Sequence, residues 1–180
     1  MPLSGEIWVK VGQSRSNERL FYLLGGGKFQ AMFLGTHTHS IDDKGRLTLP
    51  AKWRQELAGG VTITRGLDDC LFVFPKNKFA AIARDLDAQP LQISDARNWA
   101  RYVAGLAAES EIDKQGRVLI PQNLRGFAKL NGEVVVVGVV SRIEVWRPEK
   151  HAAINKTVES DASTVAERLG QTIQDAKVEK

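Results

Sequence analysis

The chain has 180 residues, 43% of them hydrophobic, with a formal net charge of +4 and a pI near 9.3. That length suits one ordinary domain or two small ones, and no apolar run approaches the ~20 residues of a membrane helix. A single cysteine, Cys70, cannot form an internal disulfide, so nothing points to an oxidising compartment.

Residues 1–31 carry no sustained periodicity and no secretory signal, because FYLL is too short an apolar core and lies too far in. The breaker cluster Gly25-Gly26-Gly27 shortly precedes Met32. Glycine codons are G-rich and can contain a ribosome-binding site, so Met32 is expected to be the natural start and the leader an extension. From there Phe33 to Ser40 reads as a strand, and Asp42-Asp43-Lys44-Gly45 is turn chemistry in which glycine supplies a positive φ. Arg46-Leu47-Thr48-Leu49 alternates as a half-buried strand does. Pro50 keeps Leu49 extended and suits the first turn of a helix, so Ala51 to Leu57 is expected to be a short helix. Val61–Thr64 and Leu71–Phe74 are strands, with Cys70 as a small core or edge residue beside the second. Lys76–Leu86 and Ser94–Gly105 have helical spacing, in Phe79/Ile82/Ala83/Leu86 and Trp99/Tyr102/Val103/Leu106, with Pro90 between them.

The chain then repeats itself. IDDKGRLTLPAKWR (residues 41–54) matches IDKQGRVLIPQNLR (residues 112–125) at a constant offset of 71, pairing Asp42/Asp113, Gly45/Gly116, Arg46/Arg117, Pro50/Pro121 and Arg54/Arg125. After a one-residue slip the match resumes at offset 72, with Gly60/Gly132, Gly66/Gly138, Val73/Val145 and Phe74/Trp146. The second copy should therefore repeat the order of the first from Glu109 to Trp146, with Val134–Val137 fully buried. Each copy spans only about 40 residues, too few to bury a core alone, so the two should pack on each other with pseudo-symmetry. The expected fold is α+β, mainly β, divided as leader 1–31, first copy 32–76, helical connector 77–108, second copy 109–150 and tail 151–180. In the tail, Thr164-x-x-Glu167 reads as a capping box opening a helix whose narrow stripe is Val165, Leu169 and Ile173. That stripe is available to the body or to a neighbouring subunit.

Beyond their apolar frame, the copies share an Asp-x-x-x-Arg loop. Taken singly it is a hairpin staple, in which the carboxylate accepts turn N–H groups while the arginine reaches back to it. Doubling, a second cation at Lys44 and a common surface for both loops favour a binding role, since an arginine held by an aspartate is a fork set for phosphate or guanine edges. Gln115 stands opposite Lys44, so the first loop is expected to bind more strongly. His37 and His39 alternate on one strand face, with no third ligand for a metal, and read as solvent-facing polar residues. Asp68-Asp69 are turn residues, and Trp53, Trp99 and Trp146 read as core. No nucleophile–base set, phosphate-cradling glycine motif or zinc spacing is present, so neither catalytic residues nor cofactors are expected.

With GTHTHSIDDKGRLTLPAKWR followed by IDKQGRVLIPQNLR, the chain closely resembles the MraZ family of bacterial regulators, over roughly residues 32–150. The resemblance implies that each copy is an AbrB-like swapped-hairpin half. It further implies a ring-forming homo-oligomer that binds tandem short G-rich boxes in promoter DNA upstream of its own division and cell-wall operon, usually as a repressor. It places the DNA contacts on Lys44, Arg46 and, by the repeat, Arg117, with Asp42, Gly45, Asp113 and Gly116 shaping the loops. The expected location is the cytoplasm, on the nucleoid, with no membrane partner. The competing reading is an antitoxin-like or protein-interaction module on the same fold, with the loops as staples and the exposed helices as the binding face.

Overall fold

A computed structural model describes residues 32–178, with side chains through residue 172; the expectation for the leader lies outside them. The strands are β1 (Phe33–Ser40), β2 (Arg46–Thr48), β3 (Val61–Arg65), β4 (Leu71–Pro75), β5 (Ala108–Ser110), β6 (Arg117–Leu119), β7 (Glu133–Val140) and β8 (Arg142–Trp146). The helices are α1 (Lys76–Asp87), α2 (Ser94–Ala104), α3 (Gln122–Phe127) and α4 (Pro148–Val178), with a 3-10 turn at Ala51–Trp53.

The strands build one antiparallel sheet in the order β1-β7-β8-β4-β3-β5, and β2 pairs with β6 in a separate ribbon. That order reads the same backwards when each strand is replaced by its counterpart in the other copy. The first strand of each copy pairs with the third strand of the other, β1 with β7 and β5 with β3. Neither copy therefore completes its own sheet, as the short repeat length requires. A pseudo-twofold axis crosses the ribbon at Leu47↔Val118 and the large sheet at Phe72↔Glu144, since the registers around both pairs map onto themselves. The core lies between ribbon and sheet. Leu47, Leu49, Val118 and Ile120 enter it from the ribbon, and Ile63, Val73, Val136 and Val145 from the sheet, all at 0% exposure.

The strands of the first copy and both connecting helices follow their apolar patterns, but three elements differ from expectation. Val134–Val137 is not buried throughout: Val134 and Val136 face the core while Val135 and Val137, on the other face of the sheet, are half-buried. Ala51 to Leu57 is not an α-helix: its bonds run i to i−3, from Trp53 N–H to Pro50 (3.0 Å), Arg54 to Ala51 (3.3 Å) and Leu57 to Arg54 (3.2 Å). The second copy forms true i to i−4 bonds, Arg125 to Pro121 at 3.0 Å and Ala128 to Leu124 at 3.1 Å. The one-residue slip explains the contrast. With one residue fewer between proline and glycine, the first copy takes the longer rise per residue of a 3-10 turn to cover the same distance. The tail helix, in turn, starts at Pro148 rather than near Thr164, which lies exposed in its middle. Proline at the first helical position with Glu149 in the first turn is a sufficient start, and no breaker follows before the expected capping box.

A second apolar cluster (Phe74, Ile82, Leu86 and Val103) fastens α1 and α2 to the sheet, with Trp99 partly buried and stacked on Tyr102 at 5.7 Å. Side chains of β3 receive the end of α2: the Thr64 hydroxyl donates to Val103 O, and Arg65 donates to Tyr102 O and Arg101 O at 2.9 Å each. A guanidinium at a helix C-terminus also complements its dipole. Trp53 and Trp146 are buried as expected.

Candidate nucleic-acid interface

The two Asp-x-x-x-Arg loops have the same geometry. Asp42 Oδ1 accepts the N–H groups of Lys44 (3.0 Å) and Arg46 (2.9 Å), and Oδ2 accepts Arg46 Nε (2.8 Å) and Nη2 (2.7 Å). Asp113 Oδ1 accepts Gln115 and Arg117 N–H at 2.9 Å each, and Oδ2 accepts Arg117 Nε at 2.8 Å and Nη2 at 2.7 Å. Gly45 and Gly116 turn at φ +80° and +79°, a region open to glycine without strain. The carboxylates hold at low pH. The hydrogen bond from the Arg46 side chain, seconded by its backbone N–H, lowers the Asp42 pKa. The same pair of bonds from Arg117 lowers that of Asp113 to about 2.

Each loop is thus a staple, yet each staple leaves an arginine edge outward. The aspartate takes Nε and one Nη of each fork, and the other Nη has no strong partner among the described residues. For Arg117 that Nη1 stands 3.9 Å from Asp42, the carboxylate of the opposite loop. The loops are therefore neighbours. The ribbon that joins them is closed by Leu49 N–H to Gly116 O and Ile120 N–H to Gly45 O, both 2.9 Å.

Two further arginines reach the same place. Arg54 Nε donates to Leu49 O (3.0 Å) and Arg125 Nε to Ile120 O (3.1 Å), which holds each guanidinium over the loop glycine of the other copy. A Cβ on Gly45 would lie 2.9 Å from Arg125 Nε, and one on Gly116 would overlap the Arg54 guanidinium. Neither arginine has a carboxylate within ion-pair distance among the described residues. They change the charge balance. Asp42 and Asp43 cancel Lys44 and Arg46 in the first loop, while Lys114 and Arg117 exceed Asp113 by one in the second. Arg54 and Arg125 raise the pair from +1 to +3. Sequence matching pairs these two arginines, but their contacts cross between copies, so only the topology reveals where they point.

Two tandem segments, residues 32–102 and 103–173, match the family model described as "MraZ protein, putative antitoxin-like". The chain belongs to the MraZ family. It is 44% identical over 138 residues to the "Transcriptional regulator MraZ" of Desulforamulus reducens, a match covering 77% of this chain and 97% of that relative. It is 42% identical to the protein of the same name from Natranaerobius thermophilus, with 77% and 96% covered. With that from Salinispora arenicola it shares 53% over 115 residues, or 64% of this chain and 81% of the relative. The tandem α+β architecture read from the sequence is thus that of an MraZ-family chain.

The other candidates stand apart from the loops' chemistry. His37 and His39 are half-buried rather than solvent-facing, because the Trp53 ring packs edge-on against His37 at 5.2 Å. Burial, then His37 and Arg54, lower the pKa of His39. Among the described residues no three His, Cys, Asp or Glu side chains could hold a metal, and no helix is long and apolar enough to cross a membrane. Cys70 is buried, its thiol pushed up by burial and then by Glu144, which removes it as a nucleophile. Asp68 and Asp69 adopt positive φ (59° and 63°) in the turn between β3 and β4, the conformation for which aspartate is suited.

Proposed function

We propose that this chain is a sequence-specific DNA-binding transcriptional regulator that represses its own division and cell-wall operon by binding tandem short promoter repeats as a ring homo-oligomer. The observation that carries the reading is the pair of aspartate-held arginine forks set side by side on the pseudo-dyad, with two uncompensated arginines laid across them. In this reading Lys44, Arg46 and Arg117 contact the DNA, while Asp42, Gly45, Asp113 and Gly116 hold the loops. Arg54 and Arg125 add phosphate contacts from across the axis. The name borne by the relatives supports regulation of transcription. A site of this charge gives few phosphate contacts alone, so affinity comes from several subunits engaging spaced repeats at once. The protein then works in the cytoplasm on nucleoid DNA, without cofactor or catalysis.

The family description also contains the word antitoxin, which favours a second reading: a module that binds a partner protein through its exposed helices, with the loops as staples. A gel shift with the DNA upstream of the gene's own operon separates the two. A regulator retards that DNA at concentrations at which scrambled DNA of equal length stays free, and its affinity falls steeply with salt. Equal retardation of both DNAs would reject the regulator reading.

A further inference from the structure

The tail helix α4 is 31 residues long, about 46 Å at 1.5 Å per residue. Among the described side chains only those at its start meet the body, where His151 lies against Trp146 with ring centroids 6.2 Å apart; every residue from Asn155 to Thr172 is exposed. A helix projecting this far without packing is marginal in water. It also leaves Val158 58%, Val165 41% and Leu169 59% exposed, with Ala162 on the same stripe. Val158 and Leu169 are eleven residues apart, three helical turns, so the stripe runs along the axis without drifting around it. Asp161 and Arg168 border one edge of the stripe, and neither has an ion-pair partner among the described residues.

We propose that this stripe binds the same stripe of a second copy, the two helices antiparallel about a dyad between Ser163 and Thr164. In that register Val158 of each copy faces Leu169 of the other, and Ala162 faces Val165. Asp161 then lies beside the other copy's Arg168, and every contact is made twice, as an isologous interface demands. In a parallel pair the edge carrying Asp161 and Arg168 would face the opposite edge of the other helix, and the two charges would not meet; edge charges of this kind set helix orientation. The contact closes on two helices, so it joins chains in pairs and does not by itself extend a ring.

The test uses two full-length variants, Ala162→Cys and Val165→Cys, each with a separable tag. Cys70 is buried and does not compete. Antiparallel pairing brings these two positions together across the interface, whereas two copies of either one are displaced by about 4.5 Å along the axis, beyond easy disulfide reach. Co-expressed and oxidised, the two variants should form the mixed disulfide at least fivefold more than either variant alone forms its own. A self-disulfide of Ala162→Cys as abundant as the mixed species would overturn the antiparallel register. No cross-link in any combination would overturn the pairing itself.

Discussion

The two ends of the pseudo-dyad are built on different rules. At the loop end, equivalent positions carry the same residues in the same geometry: Asp42 and Asp113, Gly45 and Gly116, Arg46 and Arg117, Arg54 and Arg125. At the sheet end the equivalents have opposite chemistry, with Phe72 across from Glu144. Glu144 is buried there, taking Arg142 Nε and Nη2 at 2.9 and 2.7 Å and Trp146 Nε1 at 3.1 Å, while the Arg142 guanidinium lies 4.7 Å from the centre of the Phe72 ring. The sheet end has only to hold one copy against the other, and an asymmetric lock does that while favouring the pairing of unlike halves. On the proposed function, the loop end keeps its symmetry because both loops would present the same chemistry to a repeating ligand.

Breaking the sheet end should cost the most and leave binding alone. Glu144→Ala strands Arg142 and the indole N–H of Trp146, a loss of about 3 kcal/mol for a buried pair with one partner removed. Denaturant unfolding should show that loss, while the protein that remains folded binds DNA with unchanged affinity. At the loop end the pattern should invert. Arg54→Ala and Arg125→Ala each remove one backbone-directed hydrogen bond made by a half-buried guanidinium, so stability should fall by no more than about 1 kcal/mol. DNA affinity should fall by about 1–2 kcal/mol per variant, with a shallower salt dependence, when measured by titration at several salt concentrations.

The comparison between the loops themselves predicts smaller differences. Lys44 against Gln115 alone favours the first loop, but Asp43 offsets Lys44 and Lys114 serves the second. The single variants Arg46→Ala and Arg117→Ala should therefore lose affinity to within about threefold of each other, the two charge counts differing by a single unit. A much larger loss for Arg46→Ala would restore the first loop's advantage. Smaller still is the acid response. The folded pKa of Asp113 is depressed from 3.8 to about 2, so its contribution to stability is complete above pH 3.8 and is lost as pH falls toward 2. An NMR titration of the Asp113 carboxyl should show its midpoint near 2, with the Arg117 fork intact at pH 5.

Much of this was legible in the sequence because it is local. β1 runs from Phe33 to Ser40, as expected of a strand leading into the turn that follows it. The carboxylate-to-arginine bonds follow from a four-residue spacing closed by glycine. What stayed hidden depends on contacts between distant segments. The exchange of strands between copies, and the placing of Arg54 on Gly116 and of Arg125 on Gly45, follow from which copy pairs with which. No window of either repeat contains that information. The 3-10 turn at Ala51–Trp53 was implicit in the one-residue slip, but its meaning required the second copy's helix for comparison. The histidines were misplaced for the same reason: Trp53, which packs against His37, lies sixteen positions further along the chain.

The central claim is that the paired forks bind DNA and do not serve merely to staple their turns. The double variant Arg46→Ala, Arg117→Ala tests it most directly, with gel shift on the operon's upstream DNA and light scattering on the same preparation. Both side chains lie outside the core, with 32% and 22% of their surface exposed, so their removal opens no core cavity. The expected result is loss of specific retardation with the assembled mass unchanged. Operator binding equal to that of the wild type, or collapse of the assembly, would contradict the claim and leave the loops as structural staples.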